Sequence, residues 1–294
     1  MVRDAKYWEL EAEDRCRCLL CPRTCIIAPG ARGACGAREN RGGKLLLPLY
    51  GGISSIAIDP IEKKPLREFL PGSLTFSVGF WHCTMVCPFC QNWEISHPER
   101  CMRYTLGPDE LAEKARASGC PSISFTYSEP CLHAEYVQTA MTAARSRGLK
   151  TILVTNGNLM PSPAEDILRL TDAVNVDLKT SDSSIYTRIL GGDLDAIKAF
   201  IIKASSICHV EITSLLVPGI LDKPEQMDDI ASFLCGVSEE IPLHITPYHP
   251  AWKYSLPPLS LERSEDIALR ARSKLSRVYF HPPSSRSIQW QTSR

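Results

Sequence analysis

Three cysteines, Cys83, Cys87 and Cys90, have three and then two residues between them. Thiolates are soft ligands that suit iron–sulfur clusters. A cubane has four irons, so three cysteines leave one iron without a protein ligand, the open position that a catalytic metal requires. Phe89, directly before Cys90, puts an aromatic face in the same loop, suited to holding a flat base. The competing reading is a zinc site completed by His82 or His97, but zinc ligands usually come as separated pairs rather than as this triplet.

A second set lies near the N-terminus. Cys18, Cys21, Cys25 and Cys35 supply four thiols over a short stretch, with Cys16 in reserve. Four thiolates can close a structural zinc site or hold an auxiliary iron–sulfur cluster, and the spacing leaves both open. Pro22 and Gly33 suit the turns of such a knuckle, and a bound metal would lend folding energy to a stretch with few strong secondary-structure signals. Cys101, Cys120, Cys131, Cys208 and Cys235 are scattered and read as small buried hydrophobes. Thirteen cysteines, an odd number in a chain of 294 residues, argue for metal binding over a disulfide framework.

Regular elements must hold these loops in place. Residues 1–70 are loop-rich, punctuated by Pro29-Gly30, Arg32-Gly33 and Gly42-Gly43. From residue 74 the texture changes. Short runs rich in β-branched and aromatic residues occupy 74–80, 122–126, 151–154, 173–177, 210–217 and 243–246. They alternate with helix candidates near 109–118, 133–147, 163–170, 182–205 (broken at Gly191-Gly192), 224–235 and 261–275. Ser162-Pro163 followed by Glu165 has the form of a capping box, and Asp109-Glu110 puts acid at another helix start. This alternation predicts an α/β fold with a parallel sheet, either an open barrel or a flat doubly wound sheet.

A polar or turn motif follows each predicted strand: Cys83 to Cys90, Tyr127-Ser128-Glu129-Pro130, Thr155-Asn156-Gly157, Asp177-Leu178-Lys179, Pro218-Gly219 and Pro247-Tyr248-His249-Pro250. In a (β/α) barrel the C-terminal strand ends share one face, and chemistry is built there. The barrel is therefore the favoured reading. The expected organisation is a cysteine-rich, metal-binding module over 1–70, a core barrel over 71–250, and a C-terminal helix and tail over 251–294.

With these motifs the sequence resembles the radical S-adenosylmethionine (SAM) superfamily. It is most similar to the activating enzymes of glycyl-radical proteins, of the pyruvate formate-lyase activating kind, and among these to the AmmeMemoRadiSam system radical SAM enzyme. The cysteine triplet carries the resemblance. So do residues 59–66 (Asp-Pro-Ile-Glu-Lys-Lys-Pro-Leu), Phe69-Leu70-Pro71-Gly72, the run from Cys90 through Gln91, Asn92 and Trp93 to Ser96, and the region 18–40. It spans residues 15–250. The resemblance implies a partial (β/α)6 TIM-like barrel and a [4Fe–4S] cluster on Cys83, Cys87 and Cys90. SAM would chelate the open iron and be cleaved reductively to a 5′-deoxyadenosyl radical for hydrogen abstraction.

Individual roles follow from the same resemblance. Phe89 would contact adenine. Glu129 matches the acidic end of a Gly-Gly-Glu-Pro motif, with Tyr127-Ser128 in place of the glycine pair. Asp177 and Lys179 match an Asp-x-Lys motif that binds the methionine carboxylate, and His249 matches the histidine of a Pro-Phe/Tyr-His motif. Thr155 and Asn156 would line the same pocket, and Lys179 and His249 are the catalytic candidates. Leu221 departs from the pattern, standing where relatives often have asparagine, and residues 280–294 lack the cysteines some relatives carry. The residues alone leave plainer readings. Glu129 could cap a helix starting near Cys131, Asp177 and Lys179 could be a surface pair, His249 could be structural, and Thr155-Asn156-Gly157 could be only a turn.

Composition narrows the partners. Lys+Arg and Asp+Glu both number 33, a balance that gives nucleic acid no electrostatic footprint. No apolar run approaches the ~20 residues of a membrane span, and residues 1–14 lack the apolar core of a secretory signal, so a cytoplasmic protein without a membrane partner is expected. The resemblance implies a reductant such as flavodoxin or ferredoxin and a protein substrate. A small-molecule substrate, or a non-catalytic metal-stabilised binding protein, are the alternatives.

Overall fold

The computed structural model of the chain describes residues 1–101 and 104–282. Its N-terminal part holds six short strands: β1 (Arg3–Asp4), β2 (Trp8–Leu10), β3 (Cys16–Cys18), β4 (Ile26–Ile27), β5 (Glu39–Arg41) and β6 (Lys44–Leu47). They pair as two antiparallel three-stranded sheets, β1-β6-β5 and β2-β3-β4. Left-handed residues at Glu13, Asp14 and Thr24 and glycine turns keep each strand short, which is why the region reads as loop-rich.

The main sheet has eight strands: β7 (Ser55–Pro60), β8 (Leu74–Gly79), β9 (Ser122–Thr126), β10 (Lys150–Thr155), β11 (Ala173–Asp177), β12 (His209–Leu216), β13 (Leu243–Pro247) and β14 (Val278–Phe280). From β8 to β14 every neighbouring pair is parallel. Each strand lies beside its successor in sequence, without reversal. A doubly wound sheet must reverse its order at a switch point, so this winding in one direction is that of a barrel. Strands β7 and β14 form the two ends of the order, which leaves the barrel open.

Helices Pro108–Ala117, Ala134–Arg145, Pro161–Leu168, Leu194–Ser205, Pro224–Val237 and Leu261–Arg272 link these strands. Leu194–Ser205 buries Leu194, Ile197, Phe200, Ile201 and Ala204, one apolar stripe at helical spacing. Three of the helices open on proline, whose missing N–H is unneeded there. One of these corrects an expectation: the helix starts at Pro161 with Met160 as its cap, so Ser162 lies inside the first turn and no capping box forms.

The sheet exceeds the six expected strands by two. β14 is only three residues long, and β7 leaves Ile56 and Ile58 exposed, so neither has the signature of a buried strand. β7 also moves the expected boundary at residue 70. It pairs with β8 from Ser55–Gly79 to Pro60–Leu74, and the loop after it enters the barrel. Ala173, Asn175 and Asp177 share one face of β11. Ile61 and Leu66, both fully buried, pack on Ala173 and Ile152, while Asn175 Nδ2 donates to the Pro65 carbonyl at 2.8 Å. Residues 55–69 thus belong with the barrel rather than with the cysteine module. Residues 283–294 of the expected C-terminal tail lie outside the described residues.

Glu211 fastens this inner loop. Its buried carboxylate accepts from the backbone N–H of Arg67 at 2.9 Å and of Glu68 at 2.9 Å, from His209 Nε2 at 2.9 Å and from His244 Nε2 at 2.6 Å. Burial pushes its pKa up, but these donors outweigh it and bring it down to about 2.

Candidate active site

One cavity of about 430 Å³ opens where the parallel strands end. It is lined by Cys83, Cys87, Phe89 and Cys90 after β8, Tyr127 and Ser128 after β9, Thr155 and Asn156 at the end of β10, Asp177 and Lys179 at the end of β11, and His249 after β13. Motifs separated by up to 166 positions (His249 minus Cys83) therefore meet on one face. His82 and His97 line a different cavity of about 300 Å³, together with Cys83, so they do not complete a zinc site in the main one. Among the described residues no three His, Cys, Asp or Glu side chains are close enough to hold a single metal ion.

The cysteine loop is held from several sides. Val86 N–H donates to the Leu190 carbonyl at 2.8 Å, and Lys253 N–H donates to the Pro88 carbonyl at 3.0 Å. The Gly191-Gly192 break in the helical run has its reason here: Gly191 sits at φ +70°, and a side chain at Gly192 would come within 2.5 Å of Met85. The Cys83 sulfur accepts from Met85 N–H at 3.4 Å and from Asn156 Nδ2 at 3.6 Å. Burial pushes Cys87 up to about 11, against the pull of the neighbouring Lys179 charge. Phe89 packs edge-on to Tyr254, with centroids 6.1 Å apart.

Lys179 Nζ pairs with Asp177 Oδ2 at 2.9 Å, and its backbone N–H donates to Tyr186 Oη at 2.8 Å. Burial opposes its charge, but Asp177 and Cys87 outweigh burial and hold it protonated above the ordinary lysine range. At 16% exposure the lysine is no loose surface cation.

Glu129 stands apart from the other candidates. It does not line the cavity but is buried behind it at 1% exposure. Its carboxylate accepts from Thr155 Oγ1 at 2.7 Å, Asn156 N–H at 2.9 Å and Cys131 N–H at 3.1 Å. It caps the 3-10 turn Pro130–His133, as its plainer reading had it, and ties the end of β9 to the end of β10. Burial pushes its pKa up.

One group escaped sequence reasoning. Asp59 and Lys64, both buried, and the half-buried Tyr127 form a clamp beside the cavity. Lys64 Nζ donates to Asp59 Oδ2 at 2.7 Å, Tyr127 Oη donates to the same oxygen, and the ammonium lies 4.3 Å from the Tyr127 ring centroid. Burial and Asp59 push Tyr127 up to about 12. Tyr127 has φ +72°, a conformation usual for glycine, at the place where the resembling motif has its glycine pair. The signal was the 59–66 run itself, which carries both charged members of the clamp.

With this geometry the comparisons with known proteins agree. Residues 82–234 match the family described as the Radical SAM superfamily. The chain belongs to that superfamily, and it is a radical SAM enzyme. It is 35% identical to Uncharacterized protein MJ0808 of Methanocaldococcus jannaschii, over 90% of this chain and 80% of that protein. It is 26% identical to the pyruvate formate-lyase-activating enzyme of Staphylococcus epidermidis, over 62% of this chain and 79% of that enzyme. In fold it is similar to Streptococcus suis SuiB bound to S-adenosylmethionine, with TM-score 0.56 at 15% identity over 71% of this chain and about half (52%) of SuiB. A radical SAM methyltransferase from Sphaerobacter thermophilus gives TM-score 0.55 at 17% identity, over 75% of this chain and 69% of that one. No helix among the described residues is long and apolar enough to cross a membrane.

Proposed function

We propose that this enzyme holds a [4Fe–4S] cluster on Cys83, Cys87 and Cys90 and binds SAM at the iron they leave open. The observation that carries the reading is the convergence of three thiols, an aromatic ring and a carboxylate–lysine pair on one cavity of about 430 Å³. With both groups bound, they would supply one-electron reductive cleavage of the sulfonium and, through it, hydrogen abstraction.

The chain's own residues bind and orient. Phe89, on the cavity wall, would border the adenine of bound SAM. Lys179, held protonated by Asp177, offers a cation to the methionine carboxylate. Asn156 donates to a cysteine sulfur and lines the cavity, so it links cluster and cofactor. Glu129 acts through Thr155 and Asn156, as a positioning residue. His249 lines the same cavity after β13 and would contact the bound cofactor or the hydrogen donor. A flavodoxin or ferredoxin supplies the electron. The relation to pyruvate formate-lyase-activating enzymes favours a protein backbone as hydrogen donor.

The test is anaerobic reconstitution with iron and sulfide, followed by reductant and SAM. Formation of 5′-deoxyadenosine that requires a full cluster supports the reading. A fully loaded cluster that yields none overturns it. His249→Ala should lower turnover more than iron content, and unchanged turnover removes His249 from the site.

A further inference from the structure

The N-terminal cysteines surround a second, much smaller cavity that the radical chemistry does not use. Cys18, Cys21, Cys25 and Cys35 all line it, with Gly33, Arg38, Thr84 and others, and it measures about 20 Å³. Cys16, the fifth thiol nearby, is fully buried but does not line it. All four lining thiols are free of disulfides. They stand around the cavity without being drawn to within holding distance of one ion.

The second observation is Arg38. It is fully buried, and only one end of its guanidinium is matched: Nη2 donates to Glu135 Oε2 at 2.9 Å, while Nε and Nη1 have no partner. Buried donors are rarely left unmatched, because each forfeits its hydration without a replacement. Arg38 faces the four-thiol cavity, and its charge acts on both Cys18 and Cys35. Four thiolates around a divalent ion carry a net charge of minus two, and a buried anion needs a counter-charge and donors. Arg38 lines that cavity and keeps two guanidinium nitrogens unmatched after its pairing with Glu135.

We propose that Cys18, Cys21, Cys25 and Cys35 form a closed four-thiolate site for one thiophilic divalent ion of the zinc class, with Arg38 as its buried counter-charge. The cavity's size favours a single ion over a cubane. Four protein ligands leave no open position, so the site is structural. Its place in the fold says what it braces. Thr84, in the loop of the cysteine triplet, lines the cavity, and Cys35 and Cys83 border the cavity of about 300 Å³ that separates the two thiol sets. Metal binding draws four thiols together and fixes the back of the loop that bears Cys83.

The experiment uses the full chain with Cys83, Cys87 and Cys90 all replaced by alanine, so that no metal can sit in the main cavity. Elemental analysis should find about one zinc per chain, as four ligands to one ion require. Cobalt(II) exchanged into this protein should give the intense visible absorption of a tetrahedral tetrathiolate complex. Adding Cys25→Ser should abolish that spectrum. Arg38→Lys, which keeps the charge but not the planar fork, should weaken zinc affinity in a chelator competition. Iron with acid-labile sulfide in place of zinc overturns the single-ion assignment, and a metal-free protein overturns the site altogether. Neither outcome bears on SAM cleavage by the unaltered enzyme, which is read separately.

Discussion

The two sets of cysteines differ in number and in the space around them. Three thiols face an open cavity of about 430 Å³, with a lysine, a carboxylate and an aromatic ring on its walls. Four thiols enclose about 20 Å³, with a buried arginine behind them. On the two readings proposed above, one ligand type serves two ends. Thiolates one short of a closed set, beside room for a cofactor, leave a metal able to react. A full set without room leaves one able only to hold the chain together.

The sharpest way to break that comparison is to remove one thiol from each set. Cys87→Ala should abolish 5′-deoxyadenosine formation, whereas Cys25→Ser should leave a reconstituted cluster that still forms it, with a lower melting temperature. Chromatography of the product and a thermal melt read both. Equal losses of product in the two variants would mean that the sites are not divided in this way.

Next in size is the clamp beside the open cavity. Lys64→Ala takes the buried cation from the Asp59 carboxylate, leaving it Tyr127 and the distant Lys63, and should cost about 3 kcal/mol in a denaturant titration. Lys63→Ala next to it is the control: its side chain is 68% exposed and pairs with Asp59 only at 3.5 Å, so the loss should stay below ~1 kcal/mol. Equal losses would show that Tyr127 is held by something other than the buried pair.

The far end of the barrel should follow pH independently of both thiol sites. Glu211 has its pKa depressed to about 2 in the folded chain against an ordinary value of 4.5. Its contribution is therefore complete above pH 4.5 and is lost as pH falls from there toward 2. At about 1.4 kcal/mol per pKa unit the loss comes to roughly 3 kcal/mol. Denaturant midpoints across that window should show a smaller decline for Glu211→Gln than for the unaltered chain, and parallel declines would refute the assignment.

The smallest expected effect concerns Glu129. Glu129→Gln turns an acceptor into a donor against one of its three partners, at a cost of about 1–3 kcal/mol. If Glu129 positions the open cavity, SAM affinity should fall roughly tenfold, about 1.4 kcal/mol, with iron content unchanged. Loss of iron instead would place its role with the cluster loop.

Much of this was legible beforehand. The sequence by itself determined the six central strands, the helices between them and the strand-end motifs, because local apolar runs and turn residues are read without knowing what they touch. It also marked the cysteine triplet, whose spacing is a property of the chain alone. The tertiary structure decided what depends on distant neighbours. β7 and β14 owe their existence to pairing at the barrel's edges rather than to their own composition. Glu129 faces away from the cavity because three donors from two strand ends hold it there. Asp59 and Lys64, five residues apart in a run that the sequence marked without assigning a role, acquire one only when Tyr127 arrives from the far side of β8. Arg38 is one of 33 basic residues in the sequence, and only folding buries it beside four thiols with two guanidinium nitrogens unmatched.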